Sequence, residues 1–312
     1  MSGLRRAPRH NPAGAERPSA MRIWLMAARP RTLPAAVAPV LVGTALAATE
    51  GTFKVPTFIA AMLGATFIQI GTNLSNDYSD ARRGADTEDR LGPVRVTAGG
   101  LVPPRQVLIA TAVAFGLAVL AGSYLIATAG WELLAVGAAS ILAGILYTGG
   151  PRPYGYEGLG EVFVFLFFGV VAVAGSFFAQ VERLEWEALV LAVPVGLLAS
   201  AILVVNNVRD LETDRRAGKR TLAVRLGRHR TRNLYTAMIA GAFVAAPLPW
   251  LLGSSELGPW LLAPLPAVWL AVPLVRTVRT RSDGPALNAA LGGTGMLQLV
   301  FCLLLSFGIL AS

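Results

Sequence analysis

Long, mainly apolar runs separated by short polar or basic segments set the organisation of this chain. Nine of them approach or exceed the roughly 20 residues that cross a hydrocarbon core: 22–48, 57–80, 105–128, 131–149, 158–180, 187–209, 233–252, 259–278 and 286–310. The pattern predicts an all-α polytopic membrane protein with nine transmembrane helices around a central cavity. The eighth run carries Pro259, Pro264, Pro266 and Pro273, so a kinked or partly interfacial helix is expected there. The first ends in the A-x-A-like Ala45-Leu46-Ala47, but Pro34 and Pro39 interrupt it and a long tail precedes it, which argues against a cleaved signal peptide. That tail, residues 1–20, has no periodicity and is rich in Arg and Pro. It reads as a disordered cytoplasmic segment ahead of a single transmembrane domain over 21–312.

Charge orients the helices. The net charge is +9, which in a soluble protein would suggest a nucleic-acid partner; in a chain 54% hydrophobic and 14% charged, placement matters more than the sum. With the N-terminus in the cytoplasm, nine helices put every Lys and Arg on the cytoplasmic side except Lys54 and Arg183. This is the positive-inside pattern, with the C-terminus outside, and it explains the basic residues without nucleic acid. Cys302 lies in the last apolar run, and His10 and His229 lie in polar or basic segments. No His or Cys cluster has metal-ligand spacing, so zinc and iron–sulfur chemistry are not expected.

Two stretches break the apolar pattern with carboxylates. The first runs from Asn73 through Asn76, Asp77 and Asp80 to Asp86; the second runs from Asn206 and Asn207 through Asp210 and Asp214 to Lys219. An acid in the hydrocarbon costs about 2.5–3.5 kcal/mol on insertion scales and usually faces a cavity, a partner or an ion. Placing Asn76 on Asn206 superposes Asp80 on Asp210, with an Arg-Arg pair and a Gly following each. An even number of predicted helices separates the stretches, so both end a helix on the same membrane face, as halves of one site. Acids at a helix C-terminus oppose the macrodipole, a penalty that a bound cation reverses.

On a helix, Asp77 and Asp80 are i, i+3 and Asp210 and Asp214 are i, i+4, so each pair projects from one face. Paired carboxylates without His or Cys are a ligand set for Mg²⁺, which shares its shell with phosphate oxygens. Arg82, Arg83, Arg95, Arg215, Arg216, Lys219 and Arg220 lie nearby as candidate phosphate ligands. A diphosphate clamp at the cytoplasmic mouth of an apolar cavity suits a lipid-tailed diphosphate that ionises to an allylic carbocation.

These paired acidic stretches resemble the signatures of the UbiA superfamily of intramembrane prenyltransferases. The likeness extends from about Arg29 to Ser312. Arg29 to Pro34, Gly92 to Arg95 with Gly99-Gly100-Leu101, and Tyr147 to Glu161 resemble the branch that prenylates 1,4-dihydroxy-2-naphthoate in menaquinone synthesis. The resemblance implies Mg²⁺ as cofactor, held by Asp77, Asp80, Asp210 and Asp214. Asn73, Asn76 and Asn206 would line the site, Arg95, Lys219 and Arg215 would serve a polyprenyl diphosphate, and Gln69, Tyr147 and Tyr154 would position the acceptor ring. Arg29 and Arg31 are candidates to meet the acceptor carboxylate, which leaves as CO₂, although positive-inside anchoring explains both arginines as well. One departure stands out: the commoner family spacing has a third acid four residues after Asp80, where this chain has Gly84, and the next acid is Asp86. The same chemistry on 4-hydroxybenzoate or homogentisate is the alternative. A transporter would place its ionisable groups nearer the bilayer midplane than these helix ends.

Overall fold

The computed structural model describes residues 18–85 and 91–312. The tail through residue 17 and Asp86, whose metal role is an open expectation, lie outside the described residues. Among the described residues, ten helices of nine residues or more follow in order: α1 Ala20–Ala28, α2 Pro34–Thr49, α3 Val55–Arg83, α4 Pro104–Ala129 and α5 Glu132–Leu146, then α6 Gly160–Val181, α7 Trp186–Arg216, α8 Leu222–Ala245, α9 Pro259–Thr280 and α10 Gly284–Leu310. All nine apolar runs contain helix. Among the described residues, six helices are long and apolar enough to cross a membrane, or seven if the bent α1–α2 pair is one span. The others fall short for visible reasons. α5 has only 15 residues, and α8 begins in the basic segment Arg225 to Arg232, with a non-helical Gly227 inside it.

Local sequence explains the departures from straight helices. The run expected as one helix over 22–48 is broken by 50°, because Arg29 adopts a left-handed backbone, φ 56°, Pro30 opens a short 3₁₀ turn and Pro34 starts the next helix. Ser19 caps α1 by accepting from the Arg22 N–H, so helix already begins at Ala20, inside the segment expected as tail. The proline-rich α9 enters through 3₁₀ turns at Pro259–Leu262 and Leu265–Ala267, as its composition predicts. Gly84 ends α3 at φ 64°. An Asp there would be strained, which gives a backbone reason for the missing third acid.

α7 is the central helix. Leu191, Val195, Leu198, Ala201, Val204, Val205 and Val208 are fully buried along it, and they belong to one core with Val42 of α2, Tyr235 of α8 and Leu297 and Phe301 of α10. A helix apolar on every side belongs inside, so the second acidic stretch is carried on the most constrained element of the fold.

α6 reaches α7 through a π-helical stretch, Phe165–Val171, that contains Gly169. A Cβ on Gly169 would stand 2.7 Å from the Gly196 Cα of α7 and 2.9 Å from the Ala192 carbonyl oxygen. Backbone cannot retreat as a side-chain tip can. Gly169→Val is therefore expected to cost about 1–3 kcal/mol or more, read as a lowered thermal midpoint in detergent; an unchanged midpoint would show that the crossing tolerates separation.

Candidate active site

A cavity of about 690 Å³ opens among the α1–α2 junction, α3, α4, α5, α6 and α7. Most of its wall is aliphatic or aromatic, but the ends of α3 and α7 bring acids, amides and cations to one region of it. Gln69, Asn73, Asn76 and Asp80 are all buried at successive spacings of four, three and four, the polar stripe of one helix face.

Asp80 is 2% exposed and is the most heavily engaged acid. The Tyr156 hydroxyl donates to Oδ1 at 2.6 Å, while Arg95 and Lys219 stand 3.5 and 3.6 Å from Oδ2. The Lys219 ammonium is also 3.8 Å from Asp214, so one cation joins the first acidic stretch to the second. It is placed there by the turn after α7, where the Lys219 N–H donates to the Asp214 carbonyl at 2.9 Å and the Arg220 N–H donates to the Tyr156 carbonyl at 2.8 Å. The ammonium lies 4.7 Å from the centre of the Tyr156 ring, a cation–π contact.

Asp210 is held differently. The buried guanidinium of Arg209 forks onto it, Nε to Oδ1 at 2.7 Å and Nη2 to Oδ2 at 2.5 Å, and also donates to Asn206 at 2.7 Å. Next door, Asn207 donates to Glu161 Oε1 at 2.8 Å. Among the described residues no three acidic, His or Cys side chains converge on one point.

Asp77 departs from its expected placement. Its oxygens accept the backbone N–H groups of Val96 at 3.1 Å and Thr97 at 2.9 Å, and it is not among the residues that line the cavity. The reason lies in the chain after Gly92, which folds back over this end of α3 and meets Asp77 with the Val96 and Thr97 amides. Arg215 is also elsewhere; its side chain is 55% exposed and pairs with Glu212 at 3.1 Å. Arg83 donates to the carbonyls of Thr148 and Gly150, and Arg82 to Tyr78. Arg31 packs its aliphatic stem near Gly292 of α10.

Of the residues expected at the acceptor end, Gln69, Tyr147, Tyr154 and Arg29 line the cavity, and Arg31 does not. Gln69 and Asn73 both donate to the Thr32 hydroxyl, at 3.2 and 3.3 Å, and Arg29 donates to the Asn73 carbonyl at 3.2 Å. Asn76 accepts from the Thr148 hydroxyl at 2.9 Å. The rings of Tyr147 and Tyr154 meet edge to face at 5.5 Å, and Tyr154 stacks on Phe163 at 4.0 Å. Tyr154 donates its hydroxyl to the Ala143 carbonyl, which fixes the ring in the wall. Sequence reading singled out neither Tyr156 nor Thr148, Glu161, Asn207 or Arg209 for a role. The stretch Tyr147 to Glu161 and the positions beside Asp210 were the signals that could have found them.

Buried acids and cations face each other at the polar end of an apolar cavity, set among helices long and apolar enough to cross a membrane. The chain is a prenyltransferase and belongs to the UbiA prenyltransferase family, whose model matches residues 36–308. It is 45% identical over 280 residues to a 1,4-dihydroxy-2-naphthoate octaprenyltransferase of Mycobacterium tuberculosis, covering 90% of this chain and 94% of the relative. It is 39% identical to the Escherichia coli protein of that name, covering 94% and 97%. A solved UbiA homolog from Archaeoglobus fulgidus, bound to DMAPP and Mg²⁺, shares the fold with a TM-score of 0.65 at 15% identity, over 92% of this chain and 99% of that one. The chain is thus a multi-pass membrane protein of this family.

Proposed function

We propose that this protein transfers a polyprenyl group from polyprenyl diphosphate to 1,4-dihydroxy-2-naphthoate, releasing diphosphate and CO₂ and leaving a demethylmenaquinol. The observation that carries the reading is Lys219, whose ammonium spans Asp80 and Asp214 from the two acidic helix ends. The names of the relatives in M. tuberculosis and E. coli support the acceptor. The basic segments at the ends of α3 and α7 support an active site that opens to the cytoplasm of the cell membrane, with nine crossings, the N-terminus inside and the C-terminus outside.

Mg²⁺ fits the donors. Asp80, Asp210 and Asp214 with the amides of Asn76 and Asn206 offer oxygen ligands and no sulfur or imidazole. Protein sites for this ion typically give one or two carboxylates and leave the rest of the shell to phosphate and water, so a triple cluster is not required. Bound there, Mg²⁺ would neutralise charge on the departing diphosphate.

Lys219 and Arg95 meet the diphosphate oxygens, and Tyr156 keeps Asp80 oriented toward them. The bond from the prenyl carbon to the bridging oxygen breaks, its electron pair leaving with diphosphate. The apolar wall excludes water from the allylic cation while the faces of Tyr147, Tyr154 and Phe163 border it. Gln69 and Arg29 hold the acceptor by its hydroxyl and carboxylate. The ring carbon that bears the carboxylate forms the new C–C bond, and loss of CO₂ returns the electron pair of the carboxyl bond to the ring.

Purified protein given Mg²⁺, a polyprenyl diphosphate and 1,4-dihydroxy-2-naphthoate labelled in its carboxyl group is expected to release labelled CO₂ in step with prenylated product. Product without CO₂, or faster turnover of 4-hydroxybenzoate, would replace this acceptor with another.

A further inference from the structure

Arg209 does more than neutralise Asp210. With five N–H donors in a planar fork, an arginine can serve several acceptors at fixed angles, which a lysine cannot. Here Nε and Nη2 take Asp210, Nη2 also reaches Asn206, and Nη1 donates to Asn288 Oδ1 in the second turn of α10 at 2.6 Å. Asn288 is two-handed: its Nδ2 donates in turn to the Leu91 carbonyl at 2.9 Å. Gly284, one turn earlier, leaves room for this contact, because a Cβ there would stand 3.0 Å from the same carbonyl oxygen.

Leu91 lies four residues before Arg95, and Val96 and Thr97 lie just after it. The segment is therefore anchored on both sides of Arg95, by Asp77 of α3 beyond it and by Asn288 of α10 before it. The second anchor leads through Arg209 directly to Asp210. A local counter-ion would not need this connection, since Asp210 is already satisfied by the fork.

We propose that Arg209 and Asn288 form a strut that sets Arg95 and Asp210 in register, so that the two halves of the site meet diphosphate as one unit. Both are positioning residues, acting through Arg95 and Asp210. The inference rests on the diphosphate reading of the site and adds to it a coupling between α10, α7 and the Arg95 segment.

The test is a titration of the full-length protein in detergent with inorganic diphosphate in the presence of Mg²⁺, without acceptor or turnover. Asn288→Ala is expected to weaken binding about three- to tenfold, the scale of one hydrogen bond, while the thermal midpoint without ligand changes little. In an Arg95→Met background the same substitution should weaken binding no further, because the strut acts through Arg95. Asn288→Asp keeps an acceptor for Arg209 and, as an ionised carboxylate with no donor, turns the contact with the Leu91 carbonyl from attractive to repulsive; its loss of binding should show the same dependence on Arg95. Native-like binding by both Asn288 variants would overturn the strut, as would equal losses in the two backgrounds. If the unaltered protein binds no diphosphate, the functional reading falls and the strut with it. Binding by the unaltered protein that the variants leave unchanged removes the strut alone.

Discussion

Asp80→Asn is expected to lower turnover by about 10²–10³ or more while leaving a folded protein. The side chains are nearly isosteric, so the change removes charge and not volume. Asparagine can still accept from Tyr156. It cannot balance Lys219 and Arg95, which stand 3.6 and 3.5 Å from one carboxylate oxygen in a site almost closed to water. Both cations then lose their contact with that carboxylate at once. Single-turnover formation of prenylated product, measured across a range of Mg²⁺ concentrations, reads the effect. The requirement for Mg²⁺ should rise together with the loss of rate. Turnover near that of the unaltered protein would remove Asp80 from the diphosphate site.

The second large effect is expected at Asp77, and it should differ in kind. Its carboxylate accepts two backbone N–H groups, from Val96 and Thr97, both buried. Asp77→Ala orphans both, at about 1–3 kcal/mol for each buried donor left unsatisfied. The segment that carries Arg95 then loses its anchor on α3. Diphosphate affinity should fall together with the thermal midpoint, whereas Asp77→Asn, with one acceptor oxygen, should lie between the alanine variant and the native protein. The Mg²⁺ concentration for half-maximal turnover should stay near the native value in Asp77→Asn. A rise matching that of Asp80→Asn would return Asp77 to the metal ligands.

These two acids show how far the chain could be read unaided. Both sit in the same stretch at a membrane helix end, both are buried, and their spacing puts them broadly on one face. Spacing does not say that one faces α7 and the other the segment after Gly92. That depends on where a separate piece of chain folds back. Arg215 illustrates the same gap: it is one residue past Asp214, yet it points outward and pairs with Glu212. Gly84 runs the other way. As a sequence departure it only cast doubt on a third acid, while its left-handed backbone supplies the reason.

The sequence by itself determined the helical runs, the membrane class, the two acidic helix ends and their correspondence. Those features are local or periodic: apolar length, the cost of a carboxylate in hydrocarbon, and the repeat of Asn and Asp at matching offsets. Tertiary structure alone decided which acid faces the cavity, that Lys219 bridges Asp80 to Asp214, that Tyr156 holds Asp80, and that Arg209 reaches through Asn288 to Leu91. Apart from the Lys219–Asp214 arm, these are contacts of a few ångströms between residues distant in sequence. No local period encodes such contacts; they follow from how α3, α7 and α10 pack and where the connecting turns return.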